Sequence, residues 1–193
     1  MDSFFYNSAM KKERFEAITD AVLAIISTLM VLEIKIPEIT SEHIEGIVFQ
    51  IFVYAVSFVF IVILWLNHHN MFKGVKTVDF KSIWINFWLL FSASLIPLAT
   101  RIMEEAPRET KSHVFFGSVM TAAFFFYALL EERAIKLSDH KHTSFVRRMN
   151  WLATIIIVLS IPLSFISIYL SAIIFVSLPL MYFLLPQKFV EEG

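Results

Sequence analysis

Six long apolar segments, separated by short polar connections, make up most of this 193-residue chain. A helix needs about 20 residues to cross a hydrocarbon core of about 30 Å, and these segments approach or exceed that length. They are too long for the strands of a membrane barrel and lack the strict alternation of such strands, so helices are favoured. The pattern predicts an all-α polytopic membrane protein with six transmembrane helices in a single domain, 1–193. The helices are predicted near 13–36, 45–68, 80–103, 112–132, 149–168 and 170–187.

The composition agrees with a membrane protein, because 58% of the residues are hydrophobic and 21 are Phe. Soluble domains are only about 45 to 50% apolar. The 16 Lys and Arg residues nearly balance the 17 Asp and Glu residues, so the chain has no basic field of the kind that binds nucleic acid. It has no cysteine, which excludes disulfides and thiol-ligated metals. Membrane lipid is therefore an expected partner, and nucleic acid is not.

The distribution of basic residues predicts the orientation, since Lys and Arg are retained on the cytoplasmic side of a membrane. Six crossings would place both termini on the same side. Most of the 16 Lys and Arg residues fall in the segments on that side. Both termini are therefore predicted to be cytoplasmic. The basic residues on the opposite side are Lys35, Arg101, Arg108 and Lys111.

The first segment carries an apolar stripe with one hydroxyl beside it. Ile25, Leu29 and Leu32 are spaced i, i+4 and i+7, which places them on one face of a helix with 3.6 residues per turn. Thr28 borders that face. Two interpretations fit this spacing. Alanines on the same helix permit close packing, which would make the stripe a packing surface. Alternatively, branched side chains around a symmetry axis form a constriction that gates by dewetting.

Polar residues at the beginning of the first segment and the end of the second are predicted to meet, because consecutive helices return to the same depth. Ionisable groups there are costly unless they are paired. Arg14 and Asp20 lie on the first segment. The second ends in WLNHHNMF, whose His68 or His69 is expected to approach Asp20. Adjacent histidines diverge by about 100° on a helix, unlike the i, i+4 pairs that share a metal ion. Neither a metal site nor catalytic residues are expected, and the chain is not predicted to be an enzyme.

Three stretches carry a family resemblance. The first is RFEAITD, 14–20, followed by AVLAIISTLMVLEI; the others are SFVFIVILWLNHHNMF, 57–72, and NFWLLFSASLIPLATR, 86–101. In this order and spacing they resemble the first three helices of the potassium-channel family named for transmembrane protein 175. That family's first helix carries an Arg, three residues and then Phe-Ser-Asp, where this chain has Ile18-Thr-Asp. The resemblance covers the first half of the chain closely, and the rest in its number of helices.

The resemblance implies a homotetramer of six-helix subunits in which the first helix lines a central pore. It implies potassium as the permeant ion, no resident cofactor, and a multi-pass position in a prokaryotic plasma membrane. The family lacks a carbonyl-lined filter, and this chain has no TVGYG. The family's narrowest apolar ring, five residues after the aspartate, corresponds to Ile25. Further apolar rings correspond to Leu29 and Leu32, and the pore-facing hydroxyl corresponds to Thr28.

The resemblance also implies a polar cluster that fixes the inner end of the pore helix. Its members are expected to position the helix without touching the ion at the constriction. Satisfied polar groups within a membrane suit that role. The cluster is expected to contain Arg14, Thr19 and Asp20 from the first helix, with Trp65, His68 and Asn86 as partners from the second and third helices.

A proton-coupled secondary transporter is the alternative function, in which Asp20 and His68 or His69 would carry protons. Carriers commonly use broken helices near the midplane together with internal repeats. Several prolines offer kinks here, but no internal repeat is visible. A structural or enzyme-like membrane protein is a third hypothesis, but no catalytic motif in the sequence supports it.

Overall fold

The computed structural model describes residues 10–34, 44–138 and 144–184, and helices account for nearly all of them. The described part of the chain is all-α, as predicted, apart from one short two-stranded ladder. In chain order the elements are β1 (Met10–Lys11), α1 (Lys12–Leu32), α2 (Ile44–Met71), β2 (Thr77–Val78), α3 (Phe80–Ser94), α4 (Ile96–Glu105), α5 (Thr110–Leu137), α6 (Ser144–Ile166) and α7 (Ile168–Leu184).

Five of the described helical segments are long and apolar enough to cross a membrane, α3 and α4 together forming one of 26 residues. The apolar stretch of α7, Ile168–Tyr182, is shorter. A sixth crossing therefore stays a prediction. The cytoplasmic position of the termini also stays a prediction, because residues 1–9 and 185–193 lie outside the described residues. The same is true of Lys35 and of the predicted ends of the first and sixth segments.

The helices α1 and α2 run antiparallel, because a contact joins the start of α1 to the end of α2, whereas α4 ends beside the end of α1. Trp65, near the end of α2, bonds to Asp20 near the start of α1. Arg101, in the last turns of α4, pairs with Glu33, the residue after α1. We refer to the end of the bundle at which α1 begins as the first end, and to the opposite end as the second end.

The third predicted segment, 80–103, forms two helices that meet at Leu95. Pro97 is the second residue of α4, and it has no N–H to bond the carbonyl of Ala93, which its ring also crowds. The N–H of Leu95 bonds the carbonyl of Ser92 at 3.2 Å, in a tighter turn than that of an α-helix. The chain therefore crosses with a local break close to the proline.

A two-residue antiparallel ladder joins the residues before α1 to the connection between α2 and α3. Met10 pairs with Val78, and Lys11 pairs with Thr77. Gly74 lies in the turn before β2 with a φ of 86°, a conformation that glycine adopts without strain. The sequence did not indicate this ladder, because two-residue strands have no alternation to recognise. The ladder ties the start of α1 to the start of α3.

The core is built around α5, which packs against α3, α4, α6 and α7. The helices α5 and α6 come close at Gly117, where an added Cβ would lie 2.8 Å from Ser160 Oγ and 3.2 Å from Ile161 Cγ1. A side chain at position 117 would therefore push α6 away from the core. On another side of α5, Phe124 meets Phe60 of α2 edge to face, with ring centroids 5.7 Å apart.

Asp79 caps α3 and pairs with Arg133 of α5. Its Oδ1 accepts a hydrogen bond from the backbone N–H of Ser82 at 3.0 Å, and its Oδ2 accepts one from Arg133. Burial acts to raise the pKa of Asp79, but the hydrogen bonds from Ser82 and Arg133 outweigh burial and leave the pKa below its usual value. The charge therefore stabilises the fold above the pKa of the unfolded state, and this stabilisation is lost as the pH falls through the lower folded pKa.

We expect Asp79→Ala to lower the free energy of unfolding by about 1 kcal/mol, the typical cost of losing an N-cap. The matched control Asp79→Asn keeps a capping oxygen for Ser82 but removes the charge and the oxygen that accepts from Arg133. The Asn variant should have a lower free energy of unfolding than the native protein at about pH 7, and this difference should vanish towards about pH 3. Thermal unfolding of the purified protein across this range measures both effects. An Asn variant as unstable as the Ala variant at every pH would contradict the capping role.

Candidate functional site

The helix α1 packs on the rest of the bundle along only one of its sides. Its buried side chains recur every three or four residues, which is the period of one helical face. This face contacts α2 and α3. The buried face consists of Phe15, Thr19, Leu23, Ile26 and Met30.

The apolar stripe predicted on α1 lies outside this buried face. Ile25 is 57% exposed, Leu29 48% and Leu32 76%. Thr28 is exposed beside them, and its hydroxyl donates a hydrogen bond to the carbonyl of Ile25 at 2.8 Å. The stripe of one chain is therefore free to contact lipid, another copy of the chain or a permeation path.

A buried hydrogen bond holds the opposite face of α1 against α3 near the first end. Asn86 Nδ2 donates to Thr19 Oγ1 at 2.8 Å, and the Thr19 hydroxyl donates to the carbonyl of Phe15 at 3.2 Å. Thr19 is fully buried, and Asn86 is nearly so. This neutral pair joins two helices without placing a charge in the hydrocarbon.

His68 of α2 lies beside this hydrogen bond and is buried. Its ring stacks on Phe15, with ring centroids 5.7 Å apart, and contacts Phe72 at 5.1 Å. Asn86 is a neighbouring polar side chain. Nε2 of His68 and Oδ1 of Asn86 have no hydrogen-bond partner among the described residues. The imidazole is thus packed against two aromatic rings, which also contact each other, with one nitrogen unpaired within the described part of the chain.

The hydrogen bond to Asp20 comes from Trp65, one of the partners expected from the second helix, and neither His68 nor His69 bonds to Asp20 among the described residues. The Trp65 indole Nε1 donates to Asp20 Oδ1 at 2.9 Å, and both side chains are exposed. They line a groove of about 210 Å³ between α1 and α2. Trp65 lies about one turn before the histidines, at the level of Asp20, and its N–H can only donate, which suits a carboxylate. No group of three or more acidic or histidine side chains among the described residues could hold a metal ion.

Arg14 does not join the other polar residues at the first end. Its side chain is exposed, and it makes no hydrogen bond or ion pair within the described part of the chain. The predicted single cluster is therefore divided into three parts. These are a buried group of Thr19, His68 and Asn86, an exposed pair of Asp20 and Trp65, and Arg14.

An ion pair, which sequence reasoning did not identify, follows the stripe at the second end. Glu33 Oε2 accepts a hydrogen bond from Arg101 Nη1 at 3.0 Å, and Arg101 Nε donates to Glu105 Oε1 at 3.2 Å. Glu33 comes directly after Leu32, the last residue of the stripe. Glu33 and Arg101 are 68 positions apart, so no spacing rule could have connected them.

A second buried polar network, also missed, joins α5, α6 and α7 at the first end. Asn150 Nδ2 donates to Glu131 Oε1 at 3.0 Å, and the Tyr182 hydroxyl donates to Asn150 Oδ1 at 2.7 Å. Glu131 Oε2 is buried without a hydrogen-bond partner among the described residues. One feature of the sequence could have indicated this network, namely that Glu131 lies inside the apolar segment predicted at 112–132. Ionisable residues within a membrane span are costly and are kept for a structural or functional reason.

Comparison with known proteins connects these features to a family. A family model described as "Endosomal/lysosomal potassium channel TMEM175" matches residues 14–97, which include the stripe and the six polar residues at the first end. A protein of Chryseobacterium sp. (strain P1-3), named a potassium channel, is 35% identical over 95% of this chain and 98% of its own length. A potassium channel of Streptomyces collinus is 36% identical over 60% of this chain and 61% of its own length.

The fold matches a solved structure as well. The crystal structure of a lysosomal potassium-selective channel TMEM175 homolog from Chamaesiphon minutus has a TM-score of 0.76 and 23% sequence identity to this chain. The match covers 89% of this chain and 96% of that chain, and at this identity it concerns the fold alone. The protein is a multi-pass membrane protein, and its similarity over nearly its whole length places it in the TMEM175 family.

Proposed function

We propose that this protein is a potassium-permeable cation channel of a prokaryotic plasma membrane. Bacterial relatives named as potassium channels support the permeant ion and the location. Within the chain, the observation that carries the proposal is the exposed apolar face of α1, which hydrogen bonds on other sides of the helix hold in a fixed rotation. These hydrogen bonds would keep the exposed face pointing in one direction.

Four copies of α1 around a common axis would enclose the pore, because one chain alone cannot surround a path. In this homotetramer Ile25 forms the narrowest ring, and Leu29 and Leu32 form further rings. The stripe lies within a continuous helix whose carbonyls bond along the helix, so they are not directed at a path as in a carbonyl filter. The proposed constriction is therefore hydrophobic, and ions cross it partly hydrated.

Thr28 supplies the oxygen that the apolar rings lack. Its hydroxyl hydrogen is donated to the carbonyl of Ile25, so the lone pairs of Oγ1 are directed away from its own helix and are available to a cation or to water. Beside a ring of isoleucine, such an oxygen can replace part of an ion's hydration shell. This would let a hydrophobic constriction distinguish potassium from sodium.

We expect Thr28→Val to lower the potassium-over-sodium permeability ratio about fivefold, the scale of one net hydrogen bond. Valine has nearly the shape of threonine and lacks the hydroxyl oxygen. Reversal potentials under bi-ionic conditions measure the ratio. Ser27→Ala is the control, because Ser27 is the adjacent residue and its hydroxyl is bonded to the carbonyl of Ala24. An unchanged ratio in Thr28→Val would remove the hydroxyl from the mechanism.

The buried group of Thr19, His68 and Asn86 would position the pore helix, and the pair of Asp20 and Trp65 would set the spacing of α1 and α2. Neither group belongs to the stripe, so neither is proposed to bind the ion at the constriction. Their hydrogen bonds connect α1 to α3 and to α2 respectively. Together they would fix the direction in which Ile25 points.

Reconstitution distinguishes a channel from the proton-coupled transporter that Asp20, His68 and His69 would allow. Liposomes containing the purified protein should release potassium down its gradient without a proton gradient. Asp20→Asn keeps an oxygen to accept the Trp65 hydrogen bond but cannot carry a proton, so flux should persist in this variant. Saturable flux that needs protons and is abolished by Asp20→Asn would favour the transporter. Folded, reconstituted protein that passed no potassium would contradict the channel.

A further inference from the structure

A cavity separate from α1 opens at the second end of the bundle, between α2, α5 and α7. Its volume is about 460 Å³, within the range of about 300 to 1,000 Å³ that is typical of ligand pockets. The lining is almost wholly apolar and largely aromatic. It includes Phe49, Phe52, Val56, Phe116, Ala172 and Val176.

Among the described residues that line this cavity, Arg108 is the only one with a permanent positive charge. Its side chain is exposed and makes no hydrogen bond or ion pair within the described part of the chain. His113, also in the lining, has both ring nitrogens engaged, Nδ1 with Ser171 Oγ at 2.7 Å and Nε2 with the carbonyl of Pro107 at 2.9 Å. The cavity therefore combines an apolar interior with one available positive charge.

The side chains around the cavity are of the types that favour the boundary between the hydrocarbon core and the lipid head groups. The helix ends that flank the nearby turn from α6 to α7 carry exposed apolar and aromatic side chains, with Ile166 76% and Tyr169 73% exposed. Apolar and aromatic side chains so exposed favour contact with lipid. Arg108 lies in the polar connection between α4 and α5, from which a long cationic side chain reaches lipid head groups. An amphiphile arriving from the bilayer would meet the apolar interior with its tail and Arg108 with its head group.

We propose that this cavity binds one acyl chain of an anionic lipid, with the negative head group held by Arg108. A small soluble anion would leave the apolar interior unfilled, and an uncharged lipid would leave the guanidinium without a counter-charge. None of the lining residues belongs to α1. The inference therefore does not depend on the proposed pore.

Photo-crosslinking of the full-length protein in a mild detergent tests the position of the acyl chain. The probe is palmitate with a diazirine in its chain, and labelled peptides are identified by mass spectrometry. Labelling is expected within 49–56 and 168–176. Ala172→Trp fills the cavity and should reduce this labelling about tenfold. Ile173→Trp, which changes an exposed neighbour outside the lining, should not reduce it.

Folding of the tryptophan variants is checked by their elution in gel filtration and by thermal unfolding. Val56→Phe is a second filling variant on a different helix, and it should reduce labelling in the same direction. Labelling only outside the cavity, or labelling that persists unchanged in folded Ala172→Trp and Val56→Phe, would overturn the proposal.

Competition experiments test the head group. Unlabelled palmitate or phosphatidylglycerol should displace the probe at a concentration about fivefold lower than phosphatidylcholine. Arg108→Gln should remove this preference. Lys111→Gln changes a cation at the same end that is not part of the lining, and should keep it. Competition by palmitate alone would identify a free fatty acid as the ligand, and competition by phosphatidylglycerol would identify a phospholipid. Equal competition by phosphatidylcholine in native protein would overturn the assignment of Arg108.

Discussion

Replacing Ile25 with serine should raise cation flux about tenfold and lower the preference for potassium over sodium. Ile25 is exposed on α1, where its side chain would form the proposed constriction. Serine is smaller and offers an oxygen, so the ring becomes wider and holds water more easily. A tenfold increase corresponds to a barrier lowered by about 1.4 kcal/mol. Potassium and sodium flux from liposomes with equal amounts of protein measures both changes.

The matched control for this change is Ile155→Ser. Ile155 is 54% exposed, close to the 57% of Ile25, but lies on α6, which is not part of the proposed pore. Flux in Ile155→Ser should stay close to that of the native protein. An equal rise in both variants would mean that an exposed serine loosens the bundle. A folded Ile25→Ser with native flux and selectivity would place the constriction elsewhere.

Thr19→Val should lower the free energy of unfolding by about 1 to 3 kcal/mol, the cost of leaving a buried polar group unpaired. Valine fills nearly the same volume but cannot accept the hydrogen bond from Asn86 Nδ2, which is buried between α1 and α3. Loss of this bond also removes one of the hydrogen bonds that hold the rotation of α1. Thermal unfolding of the purified protein reports the stability, and single-channel recording reports whether the conductance becomes variable.

Two further variants separate this hydrogen bond from a general effect of valine. Thr28→Val makes the same change on the exposed side of α1, where the hydroxyl bonds only within its own helix, so the unfolding temperature should hardly change. Asn86→Leu combined with Thr19→Val should cost less than the sum of the single changes, because the pair is removed as a unit. Strictly additive costs would show that Thr19 and Asn86 are not coupled.

The positions of the helices could be predicted from the sequence because hydropathy reports directly on burial in lipid. Predicted 45–68 corresponds to α2 at Ile44–Met71, and predicted 112–132 lies within the longer α5. The charged residues near the end of α5 are accommodated because Glu131, within the predicted segment, and Arg133, beyond it, both find partners. Hydropathy cannot register such pairing, since each partner lies in a distant segment of the chain.

Within the candidate site, the sequence predicted which side chains of α1 share a face, but not which polar side chains bond to each other. Helical spacing placed Ile25, Leu29 and Leu32 on one side, and the structure leaves that side exposed. Trp65 was expected among the partners of this cluster, but periodicity could not pair it specifically with Asp20, because the depth at which α2 meets α1 depends on how the two helices pack. Whether the exposed stripe lines a pore depends on other copies of the chain, which no property of one chain determines.

The two attachments of α1 differ in kind, which gives the protein a sidedness. Near its beginning the helix is held by the backbone ladder and by the buried bond between Thr19 and Asn86. At its other end it is held by the ion pair of Glu33 and Arg101, whose side chains are 35% and 42% exposed. Exposed ion pairs weaken as salt rises, whereas buried neutral bonds do not. Electrolyte on one face of the membrane can therefore loosen α1, while electrolyte on the other face leaves its anchor intact.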